Sequence, residues 1–155
     1  MITAPAGSPD LPFMRGKRRL TWDQLGRLHE AGMEIGSHTV THPDLTRLDE
    51  AGIAAEFEGS RAAIADRVGA PAASLAYPFG FYNGRARTLA RAYFDCACTA
   101  DLGVADINSD VHALRRLEMH YFRHDASFAL LASPRLTQYA AVRGVLRAVR
   151  RRLRS

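Results

Sequence analysis

Helical and extended patterns alternate three times along this chain, and no other feature limits its fold so tightly. Leu25 and Leu28 mark the buried side of a first helix, and the short apolar run Met33 to Ser37 follows it. A second helical pattern starts at Asp49 or Glu50 and runs through Ile53, Phe57, Ile64 and Val68. Glu56, Glu58, Arg61, Asp66 and Arg67 lie on its outward side. An extended run from Ser74 to Tyr77, a helix from Arg85 to Ala92, and extended runs from Phe94 to Thr99 and Leu114 to Met119 complete the series. A parallel strand reaches its partner only through a crossover of about a dozen residues or more, usually a helix. The expected fold class is therefore α/β with a largely parallel sheet.

Local signals punctuate that pattern. Thr21 and Gln24 form a capping box, with Leu20 placed as its hydrophobic staple. Gly32 suits the left-handed turn after the first helix, and Gly69-Ala70-Pro71 ends the second. A turn is expected from Gly80 to Gly84, with Asn83 near the cap of the third helix, and a polar loop from Gly103 to Asp110. Residues 1–19 are rich in Pro, Gly and Ala and end in Lys17-Arg18-Arg19; they show neither period and read as loop. Three segments result: a loop at 1–19, an α/β domain at 20–132, and a basic amphipathic helix at 133–155.

The chain has 155 residues, enough for one domain with a core, and 47% hydrophobic against 24% charged residues is ordinary for a globular protein. No apolar run approaches a membrane span, and the N-terminus does not read as a secretory signal, so the default placement is cytoplasmic or membrane-peripheral. The net charge of +5 belongs to the end of the chain, where residues 134–155 hold seven arginines and no acid. There Leu136, Tyr139, Val142, Val145, Leu146 and Val149 interleave with the arginines, with Ser133 as cap and Pro134 at the first position. Packing of the apolar face on the domain is the leading expectation. Attachment to an anionic membrane surface through the Arg-rich face is the other. Sparse aromatics and the lack of a base-reading motif argue against nucleic acid. Cys96 and Cys98 share one face of a strand, a poor geometry for a disulfide, and read as small buried hydrophobes.

The chemistry concentrates between Glu34 and Leu45, where His38 and His42 flank Thr39-Val40-Thr41 and Pro43 follows. Gly36, the β-branched residues and Pro43 favour a strand end entering a tight loop over a helix. Two neutral imidazoles so close in sequence suit a divalent ion such as zinc, but two bonds do not hold a metal. By itself the pair is either half of a metal site or two loop histidines.

Ser37-His38-Thr39-Val40-Thr41-His42-Pro43 resembles the histidine motif of the polysaccharide deacetylase (NodB-homology) family. Ala76-Tyr77-Pro78-Phe79-Gly80 resembles the same family's Tyr-Pro-x-Gly groove motif. The likeness runs from Leu20 to Met119. It implies an irregular (β/α) barrel, of which this chain supplies only some strands, and metal-dependent hydrolysis of N-acetyl groups on a carbohydrate. It further implies a divalent metal, most readily zinc, with His38 and His42 as two of its three protein ligands. Tyr77, Pro78, Phe79 and Gly80 would form one wall of a groove for an N-acetylated glycan, with a backbone N–H near Phe79 assisting at the oxyanion. Thr39 and Thr41 would orient the loop.

Two departures accompany the likeness. The family carries an Asp-Asp pair before the histidines, one a metal ligand and the other the general base; no adjacent aspartates occur here, and Asp10 in its loop is a poor substitute. The family's Leu-x-His acid motif is matched only by the longer Leu117-Glu118-Met119-His120, which leaves His120 as the candidate acid. His112 and His124 read as structural or surface residues. The expectation is a piece of a longer deacetylase that by itself binds metal weakly and turns over slowly or not at all. The alternative is a non-catalytic carbohydrate-binding or membrane-peripheral remnant of the same fold.

Overall fold

The computed structural model describes residues 20–152, so the expected loop at 1–19, Asp10 included, lies outside the described residues. Helix α1 (Trp22–Glu30) begins where the capping box places it. The Thr21 hydroxyl accepts from the Gln24 N–H at 3.2 Å, and the Gln24 side chain accepts from the Thr21 N–H at 2.9 Å. Gly32, at φ +85°, turns the chain out of the helix, and Leu25 anchors it in the core.

The expected strand from Met33 to Ser37 is reduced to a single bridge. Ser37 donates to the Ser74 carbonyl at 2.8 Å and accepts from the Ala76 N–H at 2.9 Å. Its partner β1 (Ser74–Ala76) is only three residues long, which limits the ladder, and Met33 and Glu34 lie exposed outside it.

Helix α2 (Glu50–Val68) is capped by Asp49, whose carboxylate accepts from the Gly52 N–H at 2.8 Å, and ends at Gly69 in the left-handed conformation. Ile53, Phe57, Ser60 and Ile64 form its buried stripe. Helix α3 (Gly84–Tyr93) starts at Asn83, whose side chain accepts from the Ala86 N–H at 2.9 Å. Strands β2 (Cys96–Leu102) and β3 (Leu114–Arg116) follow, then a short helix α4 (Asp125–Phe128) and the long α5 (Leu136–Arg152). The sheet order is β1-β2-β3, all parallel, with Ser37 bridged to the outer side of β1. Strand order follows chain order without reversal, as in a (β/α) barrel. Among the described residues the sheet remains open, a partial barrel.

The core lies between the sheet and α1, α2 and α3. Phe57 sits at its centre, edge-on to Phe94 at 5.3 Å and to Tyr93 at 5.9 Å. Burying a side chain of this size contributes about 1.5–3 kcal/mol.

Two expectations about packing are corrected. Cys96 and Cys98 are free but only half-buried, because the core face of β2 carries Ala97, Thr99 and Leu102 instead. Helix α5 does not bury its larger apolar residues. It approaches the sheet through Ala140, which is buried, and Gly144, which lies against the Leu102 carbonyl. Small residues one turn apart let the backbones come close, and Val142, Val145, Leu146 and Val149 are left largely exposed.

Candidate active site

The two histidines leave the sheet at the end of the bridged segment, and backbone strain gathers around them. Thr39 (φ 68°), His42 (φ 58°) and Phe79 (φ 57°) are the non-glycine residues with positive φ among the described residues. Such conformations cost on the order of 1–3 kcal/mol each and persist only where surroundings enforce them.

The enforcing contacts are visible. Glu56 on α2 accepts from the Val40 N–H at 2.7 Å, the Thr41 N–H at 3.0 Å and the Thr41 hydroxyl at 2.5 Å. Thr39 donates its hydroxyl to the His38 carbonyl at 2.5 Å and accepts from the His42 N–H at 3.1 Å. Ser37 and Ser60 join hydroxyls at 2.7 Å beneath the loop. Thr39 and Thr41 thus orient the loop as expected. Glu56 does not point outward as its place in the helical pattern implied; the loop amides are donors without a strand partner, and its carboxylate satisfies them.

His38 Nδ1 lies 2.6 Å from the Ala76 carbonyl oxygen. A carbonyl can only accept, so Nδ1 carries the proton and the Nε2 lone pair is left for a ligand. Burial lowers the His38 pKa to about 4 against the opposing pull of the Ala76 carbonyl, with help from the nearby His42 and Arg116 charges. Burial lowers His42 as well. Burial thus favours the neutral form of both rings, the form a metal binds. Their centroids are 4.7 Å apart and nearly perpendicular.

The turn after β1 faces this pair. Tyr77 is buried, stacks on Tyr82 at 5.1 Å and donates its hydroxyl to the His112 carbonyl at 2.8 Å; burial pushes that hydroxyl's pKa up. Pro78 is buried beside it, and Gly80 (φ +72°) passes so close to Ala100 that an added Cβ would meet the Ala100 nitrogen at 2.4 Å. Phe79 therefore stands out from the turn, 51% exposed, with its ring 4.5 Å from that of His42. A cavity of about 360 Å³ opens between these elements, lined by His38, Tyr77, Phe79, Thr99 and Arg116.

His120 does not join them. It is exposed on the single turn Met119–Phe122, edge-on to Tyr121, and lines none of the described cavities. His124 is exposed, and His112 is a buried structural residue whose Nε2 lies 2.8 Å from the Phe94 carbonyl. Sequence reasoning passed over Glu56 and Arg116. For Arg116 a signal existed, since ends of parallel strands line the sites of such sheets; for Glu56 the helical period pointed the other way.

As a test of metal chemistry, the two imidazoles fit as neutral nitrogen donors held side by side. Among the described residues no group of three or more His, Cys, Asp or Glu could complete the set. They supply two donors of a zinc site and not the third.

The open, singly wound parallel sheet, with paired histidines and a strained aromatic turn at its strand ends, is part of a (β/α) barrel. Residues 6–93 match the family model described as polysaccharide deacetylase, and the chain belongs to that family. Its structure is similar to the deacetylase PplD of Streptococcus pyogenes, solved in complex with acetate. The two share 26% identity and a TM-score of 0.61 over 68% of this chain and 47% of that one. A polysaccharide deacetylase of Bacillus cereus shares the fold at 23% identity and a TM-score of 0.64, over 74% of this chain and 37% of that one. A gellan lyase of a Bacillus species is 43% identical over 72 residues, which are 46% of this chain and 3% of that protein. The chain thus spans less than half the length of these proteins.

Proposed function

We propose that this chain carries the histidine half of a metal-dependent deacetylase acting on N-acetyl groups of a carbohydrate. The observation that supports it best is the His38–Ala76 hydrogen bond, which leaves Nε2 for a ligand on a ring that lines the cavity. His38 and His42 would hold a divalent ion, zinc by its preference for imidazole. Bound there, it would polarise the acetamide carbonyl and lower the pKa of water.

The chain's own residues do the rest. Tyr77 and Pro78 fix the wall of the groove, and Phe79 offers a ring face to the sugar. The Gly80 and Phe81 amides are spent on the Tyr77 and Pro78 carbonyls within the turn, so the Phe79 N–H is the donor assigned to the developing oxyanion. The third ligand and the general base are acidic groups outside the described residues, and His120, being exposed, serves as acid only if the chain around it moves. Residues 20–132 form the catalytic-type unit in this reading, and the basic C-terminal segment that contains α5 follows it.

The test adds zinc or cobalt to the polypeptide extended upstream by about 100 residues, an ordinary domain increment, and assays acetate release from N-acetylglucosamine oligosaccharides. Acetate that depends on metal and is lost in His38→Ala supports the assignment. No acetate, with His38→Ala making no difference, rejects it.

The exposed stripe Val142, Val145, Leu146 and Val149, among arginines, favours a second reading in which α5 attaches to an anionic membrane surface. Co-sedimentation with phosphatidylserine vesicles, compared with phosphatidylcholine alone, decides it: no preference for the anionic vesicles rejects the attachment.

A further inference from the structure

Ala100 on β2 lines three adjoining cavities, of about 400, 360 and 300 Å³. Together they form a trough running from His38 and Phe79, past Arg116, to Arg147 on α5. Each lobe is of the size of a small-ligand pocket, so the whole suits an oligosaccharide better than a single sugar.

The cations along it are not equally matched. Arg147 pairs with Glu118 at 3.1 Å, and farther off Arg87 and Arg91 share Asp110. Arg116 lines both the lobe holding His38 and the next one, and makes no ion pair among the described residues. Its hydrogen bond to the Cys98 sulfur at 3.6 Å engages a weak acceptor. A guanidinium has five donors in a planar fork, matched by a carboxylate or phosphate and poorly by a thiol.

Resting on the glycan reading above, we propose that the ligand of this trough is an acidic N-acetylated glycan, and that Arg116 binds the anionic group of the sugar next to the acetamido sugar at His38. Phe79 stacks on the sugar ring, and Arg116 fixes the register along the trough by holding the neighbouring acid. Arg115, on the same strand, lines the 400 Å³ lobe and also has no ion pair among the described residues, but of the two only Arg116 lines the lobe that holds His38.

Isothermal titration of the metal-free chain compares two N-acetylated hexasaccharides, hyaluronan (alternating glucuronate and N-acetylglucosamine) and neutral chitohexaose. Hyaluronan is expected to bind roughly tenfold more tightly, the worth of one charge-assisted bidentate contact. Arg116→Gln should abolish that difference and leave chitohexaose binding unchanged. Arg123→Gln, which alters an exposed arginine outside the trough, should leave both unchanged and so exclude general attraction to a basic chain. Equal affinity for the two glycans, or a preference equally sensitive to Arg123→Gln, overturns the acidic class while leaving the deacetylase reading intact. If neither glycan binds, the acidic-glycan assignment falls, and the acetate assay above decides the deacetylase reading separately.

Discussion

Glu56, in the middle of α2, accepts the backbone N–H of Val40 at 2.7 Å, sixteen residues away and between the two histidines. The same carboxylate takes the Thr41 amide and hydroxyl. Three donors converge on one side chain, so the strained loop that presents His38 and His42 is held from a helix rather than by its own sequence.

Glu56→Gln is the direct test of that role. An amide cannot accept all three bonds, and its NH₂ would face donors. Stability in urea should fall by about 1–3 kcal/mol, and cobalt affinity by roughly 10–100-fold, as for other groups that orient metal ligands. Unchanged cobalt affinity in a destabilised variant would reduce Glu56 to a purely structural residue.

Gly80 has no room for a side chain. A Cβ would lie 2.3 Å from the Ala100 Cβ and 2.8 Å from its Cα, at a φ of +72° that other residues resist. Gly80→Ala should cost about 2–4 kcal/mol in thermal or urea unfolding, from overpacking and strain combined. A cost below the error of such measurements would mean that the turn is not held as described.

Two phenylalanines separate folding from binding. Phe57 is fully buried, and Phe57→Ala should cost about 3–5 kcal/mol. Phe79 is half exposed, and Phe79→Ala should change stability by less than about 1 kcal/mol while weakening chitohexaose binding severalfold. Equal stability losses in the two variants would contradict the assignment of Phe79 to the groove.

The loop leading to β3 should give the protein an acid-sensitive joint. Asp110 accepts from the His112 N–H at 2.9 Å and pairs with Arg91 at 2.9 Å and Arg87 at 3.2 Å. The His112 amide first, and then the guanidiniums, lower its carboxyl pKa from the ordinary 3.8. The folded form thus binds this proton less tightly than the unfolded chain. The stabilisation is complete above the unfolded value and is lost as pH falls through the folded one. Asp110→Asn should be less stable than the parent at neutral pH, and the two urea-unfolding curves should converge in acid. A constant gap down to the acid limit would show that the charge is not what stabilises the joint.

Much of the scaffold was legible because its signals are local. The Thr21–Gln24 box, the Gly69 stop and the Asn83 cap each involve groups within four residues of one another, and each bounds a helix as expected. The strand from Met33 failed because a strand needs a partner, and β1 offers three residues to pair with. The face of α5 was misread because periodicity identifies a stripe without saying whether anything lies opposite it.

From sequence alone came the parallel α/β class, the limits of the first three helices to within a residue or so, and the suspicion attached to His38, His42 and the turn from Tyr77 to Gly80; the last helix starts at Leu136, past the Ser133 cap that was expected. Tertiary structure alone decided that Ala76 orients His38 from 38 residues away, that Glu56 turns inward, that Phe79 meets His42, and that Arg116 enters the same cavity while His120 stays outside. The reason is physical. Caps and periods are hydrogen bonds and faces within one segment, whereas a site forms where several segments, each unable to satisfy its own polar groups, satisfy one another.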